Sequence, residues 1–377
     1  MKKYLLMISI ISSMFSYNLF AKINLGGGDG ENTGVSFSGF MEADLMGRTN
    51  NLSKNGEAGT TSLMELDTVL EFSGKHDSEL GFVVWKIASK VATDFRYDSF
   101  GLREAWGGLD GKYGIFRIGN QFSNMYLAMD YPYGAQGMGN LFGDMGAHEV
   151  QYSRAITYIT PVVNNFKLML QYDIGGYGTP TATPTEYVKS YAYEAMLNYT
   201  STNLRVDTGY YASKNNGSLD VWADVFNGSL SKPASAIANL ENDASVYLLS
   251  GIYKINNFDF TLAYKHNSWT GDTLSYSTDG TLSNDHALAR IGYTFDKNNI
   301  NLGYQYITES KDNSGVVYSS MQSINFQYNR TIATNTLAFI QIREQMYGDS
   351  GNKISTDGML TTEKNVTRFL LGLWVGF

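Results

Sequence analysis

The sequence predicts an all-β chain, a 16-stranded antiparallel transmembrane β-barrel with short periplasmic turns and long extracellular loops. Three observations predict it. Segments of alternating apolar and polar residues run through the chain, and the connections between them are tight and long by turns. The last stretch, "FLLGLWVGF", is itself such a segment and ends on an aromatic ring. In it Phe369, Leu371, Leu373, Val375 and Phe377 share a greasy face, and Arg368, Leu370, Gly372, Trp374 and Gly376 share the other.

Composition fits that class. Aromatic residues make up 14% with 27 Tyr, glycine is abundant at 39 and proline scarce at 5. Tyrosine suits a pleated surface and the membrane interface, where one end of the ring is dry and the other wet. Mean hydropathy is slightly negative, as expected of strands that are apolar on one face only. With no cysteine there is no disulfide framework and no thiolate metal site.

Residues 1–21 read as a signal peptide: Lys2 and Lys3, then the apolar "YLLMISIISSMF", then Ala21 before the expected cut at Lys22. The mature domain is then 22–377. Removal of the signal takes away two lysines and no acids, moving the formal charge from -8 to -10. A chain this acidic has no broad attraction for nucleic acid. "GGGDGENTG" (26–34) looks superficially like one calcium-binding nonapeptide, but a single copy reads as a flexible leader.

The strands follow in order. "GVSFSGFMEADLMG" sets Val35, Phe37, Gly39, Met41, Ala43 and Leu45 against Ser36, Ser38, Phe40, Glu42 and Asp44. "MELDTVLEFSG" sets Met64, Leu66, Thr68, Leu70 and Phe72 against Glu65, Asp67, Val69, Glu71 and Ser73, and "FVVWKIASKV" sets Val83, Trp85, Ile87 and Val91 against Lys86, Ala88 and Lys90. Thirteen more are expected near 101–109, 113–121, 148–161, 165–176, 188–200, 202–214, 244–255, 257–269, 285–296, 299–310, 316–330, 334–347 and 364–377. Tight links include "DGKY" (110–113), "NN" (256–257), "DKNN" (296–299) and "TIATN" (331–335). Long ones include 122–147, 177–187, 215–243, 270–284 and 348–363. This is an up-and-down meander in one domain, with all five prolines in loops or at a strand end.

An open sheet of this size would have two sticky edges, whereas closure removes them. The terminal strand is expected to seal the barrel, with Phe377 as the closing residue, and its greasy face to meet lipid. Sixteen strands leave a water-filled lumen. On the outside, Tyr191, Tyr193, Tyr199, Tyr210, Tyr253, Tyr264, Tyr293, Tyr304 and Tyr328 fall on the apolar parity and are expected to form interfacial girdles. Four scattered histidines offer no metal-ligand spacing, and no nucleophile elbow or phosphate loop is present. No enzyme activity and no cofactor is expected.

Several stretches resemble the Gram-negative general porins, a trimeric outer-membrane family. "REAWGGLDGKYGIFRIGNQF" (103–122) is similar to that family's run from strand four into strand five, and "ITYITPVVNNFKLMLQY" (156–172) to the segment after its third loop. "YNRT" (328–331) and "GLWVGF" (372–377) are similar to its last turn and closing strand. The resemblance implies a homotrimer and a third loop, here 122–147, folded into the lumen, with Asp130 and Asp144 as its acids facing basic wall residues. Arg103 sits where the family has a pore-wall arginine. Arg117, Lys86 and Lys90 are read at the same inward parity on strands three to five, so the four would form a basic strip beside the loop.

The pattern departs from the family at Val69 and Asn120, where arginines often stand. Glu42, Asp44, Glu65, Asp67 and Glu71 make the first two strands acidic inside, which leaves ion selectivity open. The function implied is passive diffusion of small hydrophilic solutes and ions across the outer membrane, with its lipid as the other partner. A substrate-selective channel is the alternative, for which the inward Phe40, Phe82 and Trp374 read as too few and dispersed. A surface adhesin using the loops 215–243 and 270–284 is another.

Overall fold

The computed structural model describes residues 23–26, 33–52, 58–92, 101–133, 142, 146–148, 151–174, 191–214, 243–271, 280–351, 353–354, 360–361 and 364–377. The expected signal segment and Asp144 lie outside them. Sixteen strands form the wall: β1 Gly34–Leu52, β2 Ala58–Ser78, β3 Gly81–Ala92, β4 Gly101–Gly111, β5 Gly114–Phe122, β6 Gln151–Ile159, β7 Phe166–Asp173 and β8 Tyr191–Thr200 in the first half. The second half is β9 Leu204–Lys214, β10 Asp243–Ile255, β11 Phe258–Thr270, β12 Thr281–Phe295, β13 Asn298–Ile307, β14 Met321–Ala333, β15 Thr336–Tyr347 and β16 Asn365–Gly376.

Each strand pairs antiparallel with its sequence neighbours, and β16 pairs with β1 from Phe40↔Gly376 to Arg48↔Arg368, so the sheet closes. At the seam the Gly39 N–H donates to Phe377 O at 2.8 Å and the Phe377 N–H to Gly39 O at 2.9 Å. The Phe377 ring lies 5.9 Å from that of Phe37. A Cβ on Gly39 would stand 2.2 Å from Val69 O and 2.8 Å from the Phe377 ring, so glycine is what lets the last ring lie flat on the first strand. Beyond the seam a short strand, Ile23–Gly26, pairs with residues 35–37 of β1.

Tight turns recur at one end. Asn256, Asp296 and Asn335 each take a left-handed φ, 51°, 49° and 56°, in two-residue links. Some boundaries differ from the sequence expectation. β1 and β2 run past 47 and begin before 64, extending one side of the wall. The strand expected at 316–330 begins only at Met321, because Ser310–Asp312 and Gly315–Tyr318 form a separate hairpin. The Asp312 carboxylate accepts from the backbone of Ser314 and Gly315, at 2.8 and 2.9 Å, and turns the chain there.

Alternation sorts the faces as a membrane barrel requires. Leu45, Ile87, Ile118, Leu197, Leu249, Leu262, Ile324 and Ile342 are exposed on the outside. Inward positions carry Gln171, Asn198, Asp207, Asn267, Gln305, Asn325 and Gln341, all buried. The nine tyrosines expected outside take the outward register, joined by Tyr158, Tyr172, Tyr247 and Tyr306. Toward the loop end, Tyr193 and Tyr210 rings lie 6.2 Å apart and Tyr210 and Tyr247 4.7 Å. Toward the turn end, Phe166 pairs with Tyr199 at 4.9 Å and Phe258 with Tyr293 at 4.7 Å. Two aromatic belts therefore bracket an aliphatic band.

Replacing Phe377 by alanine is expected to lower barrel stability by roughly 1–2 kcal/mol, the worth of an aromatic contact and its apolar area at the seam. Urea unfolding in lipid vesicles, followed by tryptophan fluorescence, measures it.

Candidate functional site: the lumen and its inner loop

After β5 the chain enters the barrel as a helix, α1 Asn124–Tyr133. Ser123 caps it, its Oγ accepting from the Tyr126 N–H at 3.1 Å. The first turn of α1 contains no acid, and the wall supplies one. Glu194 of β8 accepts from the N–H of Asn124 at 2.5 Å, from Ser123 Oγ at 2.7 Å and from the N–H of Met125 at 3.4 Å. Gln171 of β7 accepts from the Asn124 side chain at 3.0 Å and donates to Phe122 O at 3.1 Å. A carboxylate set against the positive end of a helix, in a site sheltered from water, is a strong anchor.

The loop is held again farther round the wall. Lys265 Nζ of β11 donates to Phe142 O and lies 5.0 Å from the Phe142 ring, which packs 4.8 Å from the His286 ring of β12. The Ala147 N–H donates to Asn267 Oδ1 at 3.1 Å. Gly146, with φ 143°, admits this approach, since a Cβ there would stand 2.5 Å from Asn267 Oδ1. Between the anchors Met125, Met129 and Phe142 join Met196, Tyr211, Val246, Leu248 and Trp269 in one buried cluster. The described parts of the loop thus pack on the wall of β7–β12.

The four residues expected as a basic strip lie on β3, β4 and β5 among acids, so the wall there is not of one sign. Lys86 Nζ of β3 sits between Glu71 of β2 at 2.8 Å and Glu104 of β4 at 2.7 Å. Lys90 pairs with Asp67. Arg117 of β5 lies over the Trp106 ring at 4.3 Å, and Trp106 Nε1 donates to Glu104 at 3.3 Å. The wall here is a lattice of both signs, because acids on β2 and β4 interleave with the lysines of β3.

Arg103 reaches the root of the loop through an irregularity of its strand. Along β4 the pairing runs Lys86↔Trp106 and Ala88↔Glu104, then shifts to Ser89↔Leu102. The regular inward positions are therefore Trp106 and Glu104, and Arg103 is the extra residue of a β-bulge. Its guanidinium lies 4.9 Å from the centre of the Phe122 ring at the root of the loop. Asp130 is on α1; burial pushes its carboxyl up from the ordinary value, while a Tyr126 hydrogen bond and the charges of Arg103 and Lys90 draw it back.

Sequence reasoning turned Arg368, Phe40 and Trp374 inward but missed what they meet. Arg343 and Arg368 face each other in register across β15 and β16, both buried, and Arg343 Nε donates to Asn325 Oδ1 at 2.8 Å. Phe40 and Trp374, read as dispersed, stack at 5.9 Å and join Phe339, Leu337, Leu370 and Met46 on the inner side of the seam, while Phe82 lies apart under Lys75 at 3.7 Å. Glu194 and Arg343 each break an otherwise neutral inward row, and Lys265 is the one cation in its row; that parity was the available signal.

A closed barrel with an aliphatic exterior, two aromatic belts and a charge-lined interior defines a channel-forming protein of a bacterial outer membrane. A family profile described as Gram-negative porin matches residues 15–350, and the chain belongs to that family. It is a passive diffusion channel of the outer membrane. No curated protein matches it by sequence. Among solved structures it is similar in fold to an anion-selective porin from Comamonas acidovorans, with TM-score 0.70 and 12% identity over 92% of this chain and 100% of the other. It is also similar to OmpT, an outer membrane protein of Vibrio cholerae (TM-score 0.65, 12% identity, 94% and 99% covered). A mutant Rh. blastica porin gives TM-score 0.56 and 10% identity, with 91% and 100% covered.

Glu194→Ala removes the wall carboxylate from the helix start and is expected to weaken the loop's seat by about 1–2 kcal/mol. Single-channel recording should show higher open-state noise and a larger mean conductance, while Glu194→Gln, which keeps an acceptor, should show a smaller effect.

Proposed function

We propose that small hydrophilic solutes and ions pass without binding chemistry between the inner loop and the wall of β15, β16 and β1–β5. The carrying observation is that the described parts of the loop are anchored to β7–β12, which leaves the wall bearing Lys86, Lys90, Arg103, Arg117 and their acids to line the path. Selection is by size and by the local field, which low-dielectric walls confine. Asp130 is the loop carboxylate in this reading, with Asp144 as the second. No catalysis and no cofactor is required. Residues 1–21 serve as the export signal.

Lys86 balances two carboxylates, so its loss leaves Glu71 and Glu104 uncompensated. Neutralising Lys86, Arg103 and Arg117 together is expected to shift selectivity toward cations. One wall charge is worth about 1 kcal/mol to an ion ~4 Å away in water, so the permeability ratio should change by up to roughly fivefold. Reversal potentials in a salt gradient measure this, and an unchanged value would remove these residues from the pathway. The Phe40–Trp374 stack favours a second reading, a preference for solutes with an apolar face. Block of ion current by an aryl glycoside, absent in Trp374→Ala, would mark it.

The channel is read as a homotrimer. Residues 34–92, which hold β1–β3, contain no tyrosine, whereas outward tyrosines run from β6 to β14. A sector without interfacial tyrosines, carrying Leu45, Phe72, Val83 and Ile87 outward, fits burial against other copies. Sedimentation in detergent should return three protomers, and Leu45→Lys with Ile87→Lys should return one.

A further inference from the structure

Four inward positions of β4 and β5 form a square on the wall: Trp106 stands opposite Gly119, and Gly108 opposite Arg117. A Cβ on Gly108 would stand 2.0 Å from Phe116 O, and one on Gly119 2.8 Å from the Trp106 Cα. With glycine at two corners, the two large side chains lean across the diagonal, and the Arg117 guanidinium lies 4.3 Å over the indole. The edge of the ring is engaged as well, since Trp106 Nε1 donates to Glu104 Oε1 at 3.3 Å. Glu104 Oε2 takes Lys86, which also holds Glu71. The indole therefore meets a carboxylate with its edge and a guanidinium with its face.

Glu71, Glu104, Lys86 and Arg117 carry two acids against two bases, and Lys90 with Asp67 beside them cancels too. A set of charges with no net sum acts on a passing ion only through the spacing of its members. Glu71, Lys86 and Glu104 are already in contact, at 2.8 and 2.7 Å. The spacing that remains is that between this group and Arg117, and the indole fills it. An arginine fork fits the edge of a carboxylate, and loss of Nε1 would open Glu104 Oε1 to it.

We infer that Trp106 is a positioning residue for ion selection: its ring holds Arg117 off Glu104 and keeps the guanidinium turned to the lumen as a separate charge. The inference rests on the reading that the wall of β1–β5 lines the path. Gly108 and Gly119 belong to the same arrangement, because a side chain at either corner would displace the stack. Selectivity here follows from where an uncharged ring sits and not from the number of charges.

The test is the reversal potential of the reconstituted channel in a KCl gradient, taken around ~0.1 M and again around ~1 M. Trp106→Leu removes the ring face and vacates Oε1, and is expected to move the permeability ratio roughly twofold toward cations at low salt. At high salt the screening length falls to about 3 Å and the shift should largely vanish, whereas a change of bore would persist. Trp106→Phe keeps a ring face and should fall between the native channel and Trp106→Leu. In a Glu104→Gln background Arg117 has no carboxylate to move to, so Trp106→Leu should add nothing further. An unchanged ratio in Trp106→Leu overturns the inference alone if Arg117→Gln still shifts it; if Arg117→Gln is silent too, the path reading falls with it. An equal shift in the Glu104→Gln background, or one that survives high salt, also overturns the inference. If Trp106→Leu does not fold, Trp106→Met, which likewise lacks a ring, decides by the same criteria.

Discussion

In hydrocarbon a backbone N–H or C=O has no water to turn to, and that constraint governs the rest of this structure. It forces every strand to have two partners, which forces the last strand to meet the first. The paired hydrogen bonds of Gly39 and Phe377 are where the requirement is finally met. Once the cylinder is closed, parity becomes solvent: odd and even residues of each strand face different media. The polar interior follows from the same closure as the aliphatic exterior.

Closure makes a hollow and does not decide its bore. A loop inside a wet lumen pays for its order only if it gains firm contacts. Here it gains them at both ends, through Glu194 on the helix start and through Lys265 and Asn267 farther round. Between them a patch of methionine and aromatic side chains is buried on the wall. The inner surface thus carries a packed patch that holds the loop and, on β2–β4, a charged stretch where Lys86 and Lys90 are balanced by Glu71, Glu104 and Asp67.

Much of the barrel was legible because period two is written residue by residue. The nine tyrosines assigned outward take that register, and the two-residue turns at Asn256, Asp296 and Asn335 fall where short links were read. The site was less legible, because its bonds join residues far apart in the chain. Nothing near Glu194 announces that it will cap a helix begun at Asn124. The balance of Lys86 depends on strand register, which alternation constrains without stating which acid lies diagonal to which lysine. Arg103 reaches the lumen by a route that alternation does not show: one inserted residue shifts the register of its strand there.

That bulge sets two neighbouring side chains of opposite sign, Arg103 and Glu104, within a single step of the chain. Regular pleating would send one of them toward lipid, where an uncompensated charge is costly. The local frameshift lets the fourth strand deliver a dipole to the water side at the root of the loop. Shortening the segment by one residue would restore the pleat and expel one pole into oil. The irregularity is therefore a condition for having both charges there, and not a flaw in the ladder.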